Sequence, residues 1–573
     1  MKKLMLGNEA VARGAYEAGV RVVSSYPGTP STEVTEFCAT YPEIGCEWAP
    51  NEKVAVETAF GAAMAGARAM SCMKHVGVNV AADPLYTAAY TGVNAGLVIV
   101  AADDPYMHSS QNEQDTRMIA RAAHIPVLEP ADSQECHDFV MRAFEISEHY
   151  DTPVFLRLTT RLAHQSSPVE AGERANAAVR DYQKNYTKYV MMPGMARKRH
   201  IAVEAREKQM EEDAASLGLN REEMHGTAMG VVCAGVVYQY VREALPEASI
   251  LKLGLSYPLD RAAVRNFAAK VDQLVVIEEL EGILEQEIAA MGIEVAGKCY
   301  TGRQGELSVQ RIREAFGAEK ASEEPNLPAR PPVLCPGCPH RATFFSLKKL
   351  GLTVFGDIGC YTLCALQPLE SMDAALCMGA SIGMAIGAEK AHGREFSRHS
   401  VAVLGDSTFI HSGITGLINA VYDRSNINVV ILDNRITGMT GHQQNPATGF
   451  DIHGNPAPQL NLEAVCEAVG AHVRVVNPMH MKEMQQALRE ETQRDGVSVI
   501  IARYPCALLD KRPKQPCTIA DCHHCGACLR LGCPALERGA DGAVTVNAAL
   551  CNGCGLCSQM CAFGCITVGG EKQ

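Results

Sequence analysis

Residues 404–443 read LGDSTFIHSGITGLINAVYDRSNINVVILDNRITGMTGHQ. One apolar strand, SVAVLGD, ends at Gly405-Asp406, and a second, INVVILDN, ends at Asp433-Asn434 before a glycine-containing loop. A helical stretch joins them, so the two strands are parallel neighbours of a βαβ unit. Parallel strands place their carboxyl ends on one edge of the sheet, where open α/β folds bind ligands. Gly405 lets the backbone approach a diphosphate there, and Gly438 lies in the second loop. Asp406 and the Asn434 amide offer hard oxygen ligands suited to Mg²⁺. The rival reading is an ordinary pair of strand-to-loop turns, since GD and DN dipeptides are common.

Outward from this stretch the α/β rhythm continues. VSVIIARYP (497–505) is strand-like, and residues 333–510 form one α/β domain. Residues 1–190 form another: VRVVSSYPGTPSTEVTEFC (20–38) reads as strand, turn and helix start. AGLVIVAADDP (95–105) reads as a buried strand ending in an acidic loop. Residues 191–225 are highly charged and predict a solvated helical connector. Residues 226–305 predict a smaller α/β unit with strands in AMGVVCAGVVY, ASILKLG and QLVVIEE. Residues 306–332, ending in SEEPNLPARPP, predict a linker.

The chain has 573 residues, a net charge of -13 and 23 cysteines, ten of them beyond residue 515. The acidic balance argues against nucleic acid or an anionic membrane as partner, and no apolar run reaches membrane-spanning length. Asn8 and Glu9 interrupt the apolar start, so no signal peptide is expected. The cysteines then suit metal ligation in a reducing, oxygen-poor cytoplasm better than disulfides. Cys38, Cys136, Cys233 and Cys466 stand alone and read as buried apolar residues.

Residues 515–573 carry two matched runs. Cys522, Cys525 and Cys528 are followed by Cys533; Cys551, Cys554 and Cys557 are followed by Cys561. Such runs fold around two [4Fe-4S] clusters in a ferredoxin-like domain, the fourth cysteine of each serving the other cluster. One cluster then takes Cys522, Cys525, Cys528 and Cys561, and the other Cys551, Cys554, Cys557 and Cys533. The first run has one extra residue before Cys533, and Ala562 stands where a proline is usual; Cys517 and Cys565 are spare. Zinc is the rival reading, but eight cysteines exceed the need of one site.

The pattern from Gly405-Asp406 to Asn434 resembles the diphosphate motif of thiamine-diphosphate enzymes. That resemblance implies Mg²⁺ on Asp406, Asn434 and the Ile436 carbonyl, with Gly405, Ser407 and Gly438 about the cofactor. Ser407 departs mildly from the usual glycine-type residue. These enzymes need a second α/β domain whose glutamate bonds the aminopyrimidine ring. In CEWAPNEKVAVETAFGAAM (46–64), Glu52 opens a small-residue helix with Gly61 nine positions on, which matches that pattern. Glu57 is the alternative, and a solvated helix-start glutamate is the rival reading.

The domain order is similar to that of the 2-oxoacid:ferredoxin oxidoreductases. SYPGTPSTEV, NEKVA, MKHVGVNVAADP, SSQNEQDTR, CPGCPHR, GDIGCYTL and TGMTGHQ resemble the large (alpha) subunits of the indolepyruvate-using branch over nearly the whole chain. HQQNP (442–446) departs from the expected His-Gln-Pro pattern. The resemblance implies a transketolase C-terminal-like fold for 226–305. Thr29 would contact the 2-oxoacid, and Lys74, His75 and Asn79 would be substrate-side residues, His75 among the catalytic ones. A third [4Fe-4S] cluster near the thiamine would sit on Cys335, Cys338, Cys360 and Cys506, with Cys364 a rival for Cys360; the alternative is a CPGC turn beside core thiols. The implied reaction is oxidative decarboxylation of an arylpyruvate with coenzyme A, giving arylacetyl-CoA and CO₂ and reducing an external ferredoxin. A smaller beta subunit would complete the hetero-oligomer. The alternatives are another 2-oxoacid (pyruvate, 2-oxoglutarate or a branched-chain acid), or a non-redox thiamine decarboxylase fused to an electron-transfer module.

Overall fold

A computed structural model describes residues 2–319, 328, 331–511 and 515–569. The chain divides into two compact units, Met1–Asn326 and Leu327–Gln573. The linker expected at 306–332 falls partly on 320–327, 329 and 330, outside the described residues.

The first unit is built on a seven-stranded sheet. The strands Val22–Ser25, Gly45–Trp48, Ala69–Lys74, Leu97–Asp103 and Val154–Thr159 are all parallel within it. Leu97–Asp103 is buried at every position, as a parallel strand covered on both faces must be. A smaller four-stranded sheet follows, in which Gly230–Ala234 lies between Ser249–Leu253 and Leu274–Ile277, parallel to both. The helix Val309–Ala315 belongs with it: Ile312 is wholly buried in that sheet's core, where a linker was expected from the Pro- and Glu-rich composition.

The charged connector is a 21-residue helix, Pro193–Asp213, but not a fully solvated one. Val203 and Met210 are buried, and Arg206 donates to the carbonyls of Ala89 (2.5 Å) and Asp151 (2.8 Å). Its arginine stem covers apolar surface while the guanidinium satisfies helix-end and loop carbonyls. Composition conceals such a face, because the buried residues do not make an apolar stripe.

The second unit holds a six-stranded parallel sheet, with Thr353–Gly356, Ser400–Gly405, Asn428–Asp433 and Ser498–Arg503 as consecutive neighbours. The cysteine-rich segment packs on it in one continuous apolar core that includes Leu334, Leu347, Leu531 and Leu556. Two short antiparallel pairs order that segment: Thr518–Ile519 with Ile566–Thr567, and Leu536–Arg538 with Val544–Val546. Among the described residues no helix is long and apolar enough to cross a membrane.

Candidate functional site

In the second unit, four adjacent parallel strands lead at their carboxyl ends into Cys360, Asp406, Asn434 and Cys506. Pairing of Gly405 with Leu432 sets Asp406 beside the Asp433-Asn434 turn. Asp406 is 2% exposed; its carboxyl accepts from the amides of Ser407 (2.7 Å) and Arg435 (3.1 Å). Burial, reinforced by Asp433, nevertheless pushes its pKa up to about 8. A carboxyl so costly to ionise alone is a fitting ligand for a hard cation, whose charge offsets the cost.

Asn434 Oδ1 accepts from the Ile436 amide (3.3 Å), and its Nδ2 meets His340 Nε2 at 3.4 Å. Burial holds His340 neutral, its pKa lowered to about 4, so Nε2 is free to accept the amide hydrogen and orient Asn434. The Thr437 hydroxyl donates to that of Ser407 (3.1 Å), tying the two loops together. Gln443 and Asn445 of HQQNP close the second loop on Thr437. A Cβ on Gly405 would come within 3.2 Å of the Tyr361 ring, whose hydroxyl accepts from the Gly405 amide (3.0 Å). After Asp406–Thr408 the helix loosens into a π turn, Phe409–Gly413, a distortion common at functional sites. Among the described residues no three His, Cys, Asp or Glu side chains close around a single metal ion. A one-carboxylate site suits Mg²⁺, which keeps waters and phosphate oxygens among its ligands.

Beside this edge, Cys335, Cys338, Cys360 and Cys506 lie near one another, and Cys506 also near Asp406. The Cys506 amide donates to the Asn434 carbonyl (2.9 Å), and a Cβ on Gly438 would lie 3.5 Å from Cys360 Sγ. Cys364 is near Cys338 and Cys360 but wholly buried among apolar residues. Burial pushes the Cys338 thiol up to about 12 and Cys360 to about 11, so both stay protonated until a metal displaces the proton.

Two further cavities lie in the C-terminal segment. Cys533, Cys551, Cys554 and Cys557 line one; Cys522, Cys525, Cys528 and Cys561 line the other. Among the described residues, the thiols of neither cavity close around a single metal ion. Pro336 and Gly337, between Cys335 and Cys338, also wall the first of these cavities, and Asn552 Nδ2 donates to the Pro336 carbonyl (3.1 Å). Just before Cys533, the Leu531 carbonyl accepts from the Arg341 guanidinium (2.6 Å), and Gly532 is left-handed at φ 64° against Pro368. Sequence spacing does not reveal that partner, since Arg341 is some 190 positions away.

In the first unit, Thr29, Glu52, His75 and Asn79 follow carboxyl ends of parallel strands, and Lys74 is the last residue of one. Asn51 caps the helix Glu52–Met64, its Oδ1 accepting from the Val54 amide (2.9 Å), which sets Glu52 in the first turn. Glu52 is 4% exposed, whereas Glu57 is exposed and ion-paired with Lys53. A Cβ on Gly77 would stand 2.5 Å from Glu52 Oε1. Lys74 Nζ donates to the Ser109 carbonyl (3.0 Å); burial lowers its pKa, while Asp104 and Glu52 oppose the shift. His75 Nε2 lies 3.1 Å from the Asn112 carbonyl, so that nitrogen carries the hydrogen. Its Nδ1 is then a buried acceptor to which no group among the described residues donates. Burial also keeps the ring neutral by lowering its pKa. Asn79 bonds Gln114 (2.9 Å), and Ser109 Oγ bonds the Thr29 carbonyl (3.4 Å). The loop 104–115 thus frames the site, a role that its polar composition alone does not reveal.

Residues 13–225 match the thiamine-diphosphate-binding domain of pyruvate flavodoxin/ferredoxin oxidoreductases, and residues 357–502 the C-terminal TPP-binding domain of thiamine pyrophosphate enzymes. The indolepyruvate oxidoreductase subunit IorA of Archaeoglobus fulgidus is 40% identical over 98% of this chain and 96% of its own length. Those of Pyrococcus horikoshii (40%; 98% and 96%) and Methanothermobacter marburgensis (40%; 99% and 97%) are as similar. Among solved structures, a 2-oxoglutarate:ferredoxin oxidoreductase from Magnetococcus marinus is 18% identical with a TM-score of 0.47. That match covers 55% of this chain and 64% of the other. By its chain-length similarity to the archaeal proteins, the chain belongs to the family of indolepyruvate oxidoreductase IorA subunits, thiamine-diphosphate-dependent 2-oxoacid oxidoreductases.

Proposed function

We propose that this chain is the large subunit of an enzyme that oxidatively decarboxylates arylpyruvates of the indolepyruvate and phenylpyruvate type. An arylpyruvate anion, coenzyme A and two oxidised ferredoxins give an arylacetyl-CoA, CO₂, two reduced ferredoxins and one proton. The observation that carries this reading is the file of cysteine groups beginning at the Asp406–Asn434 edge. Cys360 and Cys506 adjoin that edge, Cys335 and Cys338 adjoin them, and Pro336-Gly337 walls the cavity of Cys533, Cys551, Cys554 and Cys557.

Thiamine diphosphate, when bound, supplies the electron sink for decarboxylation. Asp406, Asn434 and the Ile436 carbonyl would hold Mg²⁺ and through it the diphosphate. Gly405, Ser407 and Gly438 let the backbone come close to it. Glu52 would share a proton with a ring nitrogen of the aminopyrimidine. His75 Nδ1 would accept a hydrogen from substrate or cofactor, and Thr29, with Lys74, would face the 2-oxoacid carboxylate. The cysteine groups would hold three [4Fe-4S] clusters, removing two electrons one at a time. A smaller beta subunit and an external ferredoxin complete the proposal.

The test is an anoxic assay of the purified complex with indolepyruvate, phenylpyruvate or pyruvate, coenzyme A and a viologen dye. Coenzyme A-dependent dye reduction, fastest with the arylpyruvates, is expected. Aldehyde release without dye reduction would refute the redox reading; preference for pyruvate would refute the substrate alone.

A further inference from the structure

Arg341, the last residue of CPGCPHR, stands in the first turn of the helix Pro339–Leu350, where the helix dipole disfavours a cation. It is also 2% exposed. Arginine stays protonated in proteins, so a full positive charge is buried there. Burying a charge is costly unless an opposite charge lies beside it. Arg117 and Arg157, comparably buried, each bind two carboxylates. The hydrogen bonds of the Arg341 guanidinium among the described residues go to backbone carbonyls instead: Nη1 donates to Leu531 (2.6 Å), and Nη2 to Leu334 (2.8 Å) and Cys335 (3.3 Å). Its Nε is buried with no acceptor among the described residues.

Those carbonyls mark what surrounds the charge. Leu334 and Cys335 open the turn that carries Cys335 and Cys338, and Leu531 lies two residues before Cys533. Arg341 also walls the cavity of Cys533, Cys551, Cys554 and Cys557, together with Pro336 and Gly337. The guanidinium thus reaches from one cysteine group to the next. Four thiolates give a [4Fe-4S] centre a net negative charge that increases on reduction, and net charge is among the levers that set its potential. Such a centre supplies the counter-charge that the protein groups around Arg341 do not. Solvent screens a buried attraction of this kind far less than one at the surface.

We propose that Arg341 is the buried counter-ion of two clusters, the one on Cys335, Cys338, Cys360 and Cys506 and the one on Cys533, Cys551, Cys554 and Cys557, and that it raises the reduction potentials of both. The inference rests on the cluster reading above. Arg341 is neither a ligand nor a catalytic residue in this role; it acts through the charge of the clusters.

The experiment is an EPR-monitored redox titration of the anoxic holoenzyme, with iron and sulfide determination, for Arg341→Gln, Arg341→Lys and Arg530→Gln. Arg341→Gln should weaken reduction of two clusters about tenfold, a fall of about 59 mV for one electron, and leave the third in place. Arg341→Lys keeps the charge and should fall less. Arg530 is exposed, so its loss should leave every potential in place. Iron lost from Arg341→Gln but kept in Arg341→Lys would also support the proposal, because both variants lose the guanidinium fork and differ chiefly in charge. Full iron with every potential unmoved in Arg341→Gln overturns it. So does an equal fall in Arg341→Lys, or an equal fall of all three clusters, which would mark a general loosening. Iron lost from both Arg341 variants would assign the residue to anchoring carbonyls and overturn it as well. A wild-type holoenzyme without iron in this unit would instead remove the cluster reading itself, and this inference with it.

Discussion

Gly77 has no side chain because the Glu52 carboxyl occupies the space where one would be. An added Cβ would stand 2.5 Å from Glu52 Oε1 and 2.8 Å from its Cγ. The backbone of His75–Val80 is helical there, so alanine would fit the conformation and even favour it by helix propensity. What must give way is the glutamate. Gly77→Ala is therefore expected to keep the melting temperature and to lower kcat about 100-fold, the cost of a misplaced catalytic group. Glu52→Gln, which removes the carboxyl proposed to share a proton with the cofactor and keeps its volume, should lower kcat by about 10²–10⁴. Dye-coupled turnover beside a thermal melt reads both. Wild-type kcat in Gly77→Ala would show that nothing depends on where Gly77 holds the Glu52 carboxyl.

At the scale of elements, the strands were open to reading and their neighbours were not. Continuous apolar runs such as LVIVAAD and NVVILD carry their own burial, because a central parallel strand is covered on both faces. The helix Val309–Ala315 hid in linker-like composition, and Arg206 hid in a charged helix; both owe their burial to distant partners. The same holds for a buried ionic network in the first unit, where Arg117 binds Asp115 and Glu278 and Arg157 binds Asp103 and Glu129. Glu279 follows Glu278 in this region. Burial outweighs its bond from the Leu307 amide (3.1 Å) and pushes its pKa from 4.5 up to about 7. Between those values the folded protein keeps a proton that the unfolded chain has released. Stability from this group is full below about pH 4.5, falls as pH rises to about 7 by about 3 kcal/mol, and is level above that. Glu279→Gln cannot titrate, so the melting temperatures of variant and wild type should diverge between pH 5 and 7, the variant being the flatter curve. Parallel curves would place no proton uptake at Glu279.

At the scale of the second unit, the cysteine groups have an order that their spacing in sequence does not state. The group Cys335, Cys338, Cys360 and Cys506 touches the diphosphate-type edge, and Pro336-Gly337 hands on to the cavity of Cys533, Cys551, Cys554 and Cys557. The cavity of Cys522, Cys525, Cys528 and Cys561 comes first in the chain yet last in this file. Its outer side carries exposed Cys525 and the stack of His523 on Phe563, ring centroids 4.2 Å apart. An order of this kind makes the two C-terminal sites unequal when one is lost. On the proposed cluster reading, Cys554→Ser removes a ligand from the middle of the file, so adding 2-oxoacid and coenzyme A should no longer reduce the outer cluster, as EPR would show. Cys525→Ser removes one from the far end: the middle cluster should still be reduced by substrate, while electron delivery to ferredoxin slows. A small viologen that reaches the middle cluster directly would lose less rate than ferredoxin does in that variant. Equal loss of substrate-driven reduction in both variants would mean that electrons do not pass the sites in sequence.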